Sequence, residues 1–168
     1  MILIVDVSYS ADSAYAAGIV IESWESSVVA ERLTATVDGL QGYIPGKFYL
    51  RELPCIVELL KHVEHPLECI VVDGYVTLGA DERPGLGMRL WQHLHGKVPV
   101  IGVAKTKFVG TPKNAEILRG GSSRPLFVTA VGIDLESAKS NIVKMVGKFR
   151  IPDLIKAADR LSRDSVDS

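Results

Sequence analysis

Apolar residues fall along this chain in two rhythms, short unbroken runs and a spacing of three and four, and the switches between them predict strands giving way to helices. The segments MILIVDVSYS, SAYAAGIVIES and SVVAERLTATV read as three strands. Their short Ser-, Asp- and Glu-containing links suit an antiparallel meander. Ile56, Leu59, Leu60 and Val63 then recur at i, i+3, i+4 and i+7 and predict a helix, with Pro54 at its first position and Glu52 at or just before its N-terminus. LECIVVD predicts a buried strand, a Gly-rich loop follows, and an amphipathic helix runs from about Gly87 to His95, stopped by Gly96. VPVIGVAK is another buried strand. A hairpin-like stretch (KTKFVG, AEILRG, RPLFVTAV) leads to a helix capped by Asp134, with Ala138, Ile142, Met145 and Val146 facing inward. A final helix is expected near Pro152 to Leu161.

Three meandering strands, a helix, a buried strand, a helix and a further buried strand is the element order of the ribonuclease H-like fold. The expected class is therefore α/β, with a mixed central sheet, an antiparallel meander of three strands plus parallel strands, flanked by helices. In that arrangement the fourth strand lies parallel to the first. Asp6 and Asp73, which end the apolar runs of these two strands, would stand side by side, with the helix carrying Glu52 packed across them. At 168 residues, 47% hydrophobic and mean hydropathy +0.20, the chain suits one domain spanning residues 1–168. Its apolar runs are strand-length and interrupted by charge, so neither a signal peptide nor a membrane partner is expected and a cytoplasmic location is. Cys55 and Cys69 lack a spacing that suggests metal or redox work and read as reduced core residues.

The acids Asp6, Glu52 and Asp73 each break an apolar surrounding, where an ionised carboxylate is costly unless a cation or strong donors receive it. Converging, they would form a hard, oxygen-rich site for Mg²⁺ or Mn²⁺. Lys105, just past a buried strand, suits a point charge aimed at a phosphate oxygen. Gly74 and Gly102 remove side chains near strand ends, which either lets a base or phosphate approach the backbone or simply makes a turn. Charge is split along the chain. Residues 1–82 hold thirteen Asp and Glu against four Lys and Arg, whereas residues 83–168 hold seven against fifteen. No acid occurs from Arg83 to Ala115, and this basic block makes phosphate contact credible. His62, His65, His93 and His95 read as structural or solvated.

These motifs, taken in order, also carry a family likeness. The chain resembles the endonuclease V family through VDVSY, YIPGKFYLRELP, VVDGY and PVIGVAKTKFVG, with RPLFVTAVGIDLESA and FRIPDLIKAADRLSR similar to its C-terminal helices. The resemblance implies a repair-type nuclease that recognises deoxyinosine in DNA or inosine in RNA and hydrolyses a phosphodiester on its 3′ side. Carried over by motif, Asp6, Glu52 and Asp73 would hold divalent metal, Mg²⁺ or Mn²⁺, and Lys105 would steady the scissile phosphate. Tyr43, with Ile44 and Pro45 in the YIP wedge, would fill the space of an everted base, while Phe48, Gly74, Gly102 and Phe108 match positions of the base pocket. The chain departs from the family in lacking a histidine in the loop after the second aspartate and another after PLF, and in beginning almost on the first strand. Part of the nucleic-acid cradle is then either absent or supplied by a protein partner. Two other classes stay open beside the inosine-directed endonuclease: a ribonuclease H-like nuclease acting on another damaged or structured nucleic acid, and a catalytically impaired nucleic-acid-binding relative.

Overall fold

The computed structural model describes residues 1–39, 45 and 49–168. Strands β1 (Ile2–Ser10), β2 (Ser13–Ile21) and β3 (Glu31–Asp38) form the expected antiparallel meander. Helix α1 (Tyr49–Leu60) follows, then β4 (Cys69–Asp73), the two-residue strands β5 (Thr77–Leu78) and β6 (Arg83–Pro84), and α2 (Leu86–His93). β7 (Val100–Ala104), β8 (Glu116–Ile117), β9 (Leu126–Val131), α3 (Leu135–Val143) and α4 (Asp153–Val166) complete the order. The main sheet has seven strands in the order β3-β2-β1-β4-β7-β9-β8, and β5 pairs with β6 apart from it. β4 runs parallel to both β1 and β7, whereas β9 returns antiparallel to β7. This is the mixed sheet of a ribonuclease H-like fold.

Strand alternation sorts the core into two layers. Ile2 and Ile4 of β1, with Val71, Ile101 and Val128, pack beneath α3 and α4 on Ala138, Ile142, Leu154, Ile155 and Ala158. Leu3 and Val5, with Ile70, Val72 and Val100, pack on the other face against Ile56 and Leu59 of α1 and Leu90 of α2. Because helices cover both faces, the inner strands read as continuous apolar runs rather than alternating ones. Among the described residues no helix is long and apolar enough to cross a membrane.

Several boundaries differ from the sequence reading, among them α3, which ends at Val143 and leaves Met145 and Val146 beyond it. β3 begins at Glu31 rather than in the preceding SVVA; Val28 is exposed, and the Ala30 N–H reaches the Val20 carbonyl at 2.8 Å. Helix α1 holds Pro54 inside it, not at its first position. Tyr49 and Leu53 join the stripe of Ile56 and Leu60, so packing carries the helix a turn further back and puts Glu52 within its first turn. α4 continues past Leu161 to Val166 because Ser162, polar but fully buried, meets the Ser8 hydroxyl at 2.6 Å. The stretch KTKFVG is not a strand; it turns at Phe108, whose carbonyl accepts the Thr111 N–H at 3.0 Å.

The irregular segment between α3 and α4 is organised by one side chain. Arg119 is buried, and its guanidinium donates to the carbonyls of Val143 (3.3 Å), Met145 (2.5 Å), Phe149 (2.8 Å) and Arg150 (3.2 Å). Its five N–H donors in a fixed fork match several carbonyls that no ladder satisfies. Arg119→Met should lower stability by about 2–4 kcal/mol, since it strands buried acceptors, and lower Tm by roughly 5–15 °C for a chain of this size. Thermal unfolding followed by circular dichroism measures this, and a Tm equal to that of wild type would remove Arg119 from its structural role.

Candidate active site

The parallel register brings the two aspartates together. Val5 of β1 faces Val72 of β4 in the last pair of that ladder, so Asp6, midway along β1, and Asp73, at the end of β4, lie abreast one residue on. They share the side-chain direction of Ile4 and Val71, toward the layer that α4 covers. Glu52 arrives from the opposite layer, on the first turn of α1, and lines one narrow crevice with Asp6 and Asp73. Lys105 leaves the end of β7 and places Nζ 3.6 Å from Asp73 Oδ2. All four residues singled out for chemistry therefore meet at one edge of the sheet. No histidine lines either crevice at this edge.

The electrostatics follow from burial and like charge. Asp6 is pushed up to about 7, first by burial and then by the negative field of Asp73, with Asp159 of α4 adding a hydrogen bond that favours the protonated form. The Val7 N–H donates to Asp6 Oδ1 at 2.9 Å and opposes the shift. Glu52 also rises to about 7, from burial and then from Asp73, while a hydrogen bond from Tyr9 and the nearby Arg51 guanidinium work against it. Asp73 is raised by burial despite the Lys105 ammonium beside it. Four carboxylates thus gather here, and the charges of Asp73 and Asp159 add to the shifts that burial causes. Among the described residues no three His, Cys, Asp or Glu side chains form a ready-made metal cage. The donor set is all oxygen, which suits a hard divalent cation rather than a soft one.

Asp159 was not foreseen from the sequence. It follows Ile155 by four residues and precedes Ser162 by three, so it sits on the buried stripe of α4, and an acid on that stripe was the available signal. Arg163 Nε donates to its Oδ1 at 3.0 Å.

The expected base-pocket residues divide. Gly74 has φ +134° and nothing within 4 Å of where a Cβ would lie, so its backbone stands open beside Asp73. Gly102 is buried in β7, and a Cβ there would meet the Gly74 carbonyl at 2.5 Å, Thr129 Oγ1 at 2.8 Å and the Val76 nitrogen at 2.9 Å. The room its missing side chain leaves is filled by the chain itself, by the Gly74 carbonyl, Thr129 and the Val76 nitrogen. Phe108 is half-buried, with its ring inclined 61° to that of Tyr75 (centroids 6.2 Å apart), and the Arg83 guanidinium lies 5.9 Å from its centroid. Tyr75 also donates through its hydroxyl to the Thr106 carbonyl at 2.8 Å and accepts from the Phe108 N–H at 3.0 Å. Pro45 is an exposed turn residue; Tyr43, Ile44 and Phe48 lie outside the described residues.

Comparisons with known proteins follow the same outline. The profile described as Endonuclease V matches residues 1–130. Endonuclease V of Streptomyces avermitilis is 34% identical, across 95% of this chain and 77% of that protein. Endonuclease V of Streptomyces coelicolor is 32% identical, across 95% and 76%. The crystal structure of the Streptomyces avermitilis protein superposes with a TM-score of 0.78 at 28% identity, covering 99% of this chain and 81% of that one. Ciona intestinalis endonuclease V, solved with DNA containing an inosine followed by a ribo-adenosine, shares the fold at a TM-score of 0.79 and 23% identity, covering 99% and 85%.

The raised carboxyls predict a pH signature for the metal-free protein. Asp6 and Glu52 bind protons more tightly folded, at about 7, than unfolded, at 3.8 and 4.5. Between these limits the native state holds more protons than the unfolded state, so this site's contribution to stability is present at low pH and is lost as pH rises through 7. Asp6→Asn should therefore raise the Tm of the metal-free protein at pH 8 by about 2–4 °C, equivalent to roughly 1 kcal/mol, and the gain should shrink toward pH 5. Comparing variant with wild type at each pH cancels the other titrating groups. A variant that melts below wild type at pH 8 would show that Asp6 is stabilising when charged and sink this picture.

Proposed function

This chain belongs to the endonuclease V family, and on that premise we propose that it is a metal-dependent endonuclease hydrolysing the phosphodiester on the 3′ side of deoxyinosine or inosine in nucleic acid. The observation that carries the reading is the register that sets Asp6 and Asp73 abreast, with Lys105 Nζ 3.6 Å from Asp73. The Ciona relative's complex with inosine-containing DNA supports a nucleic-acid partner of that kind.

In this reading Asp6, Glu52 and Asp73 would hold Mg²⁺ or Mn²⁺, and Asp159 joins them from α4. The fit rests on the donors: several carboxylates, two of them held up to about 7 by burial and then by the charge of Asp73, are a place where added positive charge is stabilising. When bound, a divalent cation supplies Lewis-acid activation of water and neutralises charge gathering on the phosphate. The chain's own residues do the rest. Lys105 offers an ammonium to a non-bridging phosphate oxygen, on the side of Asp73 away from Glu52's helix, and Gly74 leaves the backbone open for close approach of a nucleotide. Tyr43, with Ile44 and Pro45, would fill the gap left by an everted base, and Phe48 and Phe108 would border its pocket. Eversion costs a few kcal/mol of unstacking that an inserted aromatic partly restores. The basic stretch from Arg83 to Lys113 would follow the backbone phosphates, so binding should weaken steeply with salt.

The deciding experiment incubates the protein with inosine-containing and matched control DNA and RNA strands in Mg²⁺ and in Mn²⁺, and maps any cut by strand and position. Cutting at the 3′ side of inosine alone is the expected result. Cutting of controls and inosine strands alike would favour a nuclease with another substrate, and binding without any cut would favour a catalytically impaired relative. Lys105→Ala should lower the single-turnover rate by roughly 10²–10³-fold, the size of losing one transition-state charge contact, while leaving calorimetric metal affinity nearly unchanged. An equal loss in metal affinity would place Lys105 in metal retention instead.

A further inference from the structure

We propose that Arg150 is a positioning residue for Lys105: its guanidinium holds the backbone beneath that lysine and so fixes where the ammonium stands at the strand-end carboxylates. The catalytic consequence rests on the phosphodiesterase reading above, whereas the clamp itself does not.

Lys105 is the first residue past the β7 ladder, whose last pair is Ala104 with Phe127. Nothing in the sheet therefore fixes its backbone. Its ion pair with Asp73 is loose and about one-third exposed on each side, 32% and 36%, and a pair that exposed contributes little by itself. Placement of the ammonium must then come from the main chain. Arg150 supplies it: one terminal nitrogen, Nη2, donates both to the Lys105 carbonyl and, at 3.0 Å, to the Pro125 carbonyl, and Nε reaches the Pro125 carbonyl at 3.3 Å. The guanidinium thus ties the backbone under Lys105 to the residue just before β9, the strand that pairs with β7.

Arg150 is itself anchored. Its carbonyl accepts from Arg119 Nη1 at 3.2 Å, and Pro152 two residues on caps α4, the helix that carries Asp159. Lys105 and Asp159 are in this way referred to the same segment. From the opposite side the Tyr75 hydroxyl holds the Thr106 carbonyl and the Phe108 N–H, so the loop keeps one attachment when Arg150 is removed. A lysine at position 150 would keep the charge but not the planar fork that spans two carbonyls.

Two measurements test the clamp. The first labels the metal-free full chain with a small amine-acetylating reagent and reads each lysine by peptide mass spectrometry. In Arg150→Ala, Lys105 should label severalfold faster than in wild type, with Lys113 unchanged and Arg150→Lys in between. The second is a double-mutant cycle on single-turnover cleavage of an inosine-containing strand. Arg150→Ala should slow it roughly tenfold, within the range that a small misplacement of a catalytic group costs. The Lys105→Ala/Arg150→Ala pair should be no slower than Lys105→Ala alone. Unchanged Lys105 labelling in a folded Arg150 variant, or fully additive losses in the cycle, overturns the proposal. If Arg150→Ala does not fold, Arg150→Lys carries both measurements. If wild type cuts no inosine strand, the nuclease reading fails while the labelling still decides the clamp.

Discussion

The structure turns on two carboxylates that a backbone ladder will not let separate. The parallel pairing of β1 with β4 sets Asp6 beside Asp73 in one register, and shifting that register by a residue would turn every apolar side chain of a strand to the wrong layer. The hydrophobic core thus fixes the spacing of the acids, and their repulsion is carried by burial of Ile2, Leu3, Ile4 and Val5 against both layers. With Asp6 and Glu52 both held up to about 7, the free site is poised so that either protons or a cation relieves it. Such an edge sacrifices stability for charge density, as functional sites commonly do.

Much of this was legible in the sequence because burial on two faces leaves a strong trace. Unbroken runs such as CIVVD and VIGVA can be satisfied only by a sheet covered on both sides, and an aspartate ending such a run has few innocent explanations. What was not legible depended on contacts between distant segments. Pro54 suggested a helix start, but Tyr49 and Leu53 find core to pack on and carry α1 further back. The sequence reading ended α4 near Leu161, whereas Ser162, buried against Ser8 from far away in sequence, lets it continue. Asp159 escaped notice for the same reason, since its neighbour Asp6 lies at the other end of the chain.

Gly102 acts on the site through packing within the chain. A glycine near a strand end suggests space for a ligand, yet the space is occupied by the Gly74 carbonyl and Thr129. Thr129 Oγ1 in turn accepts the Val76 N–H at 2.8 Å, so the loop after Asp73 is pinned to β9 through the gap that Gly102 leaves. The glycine shapes the site at one remove: it lets the loop lie close to the sheet, and the open backbone ends up at Gly74 instead.

The split of charge along the chain acquires a structural sense from this arrangement. Three of the four site acids come from the first half, on β1, α1 and β4, whereas Lys105, Arg119 and Arg150 come from the second. The second half brings its cations to the edge in two distinct uses. Lys105 presents a point charge beside Asp73, while Arg119 and Arg150 direct their donors to carbonyls of segments that no helix or strand holds. Exchanging these types would fail on geometry: an ammonium cannot bridge several carbonyls, and a guanidinium held by carbonyls is not free to follow a phosphate. Past the end of β7, where Lys105 leaves the ladder, arginines are therefore needed to make rigid what the sheet no longer orders, before that lysine can act at a defined place.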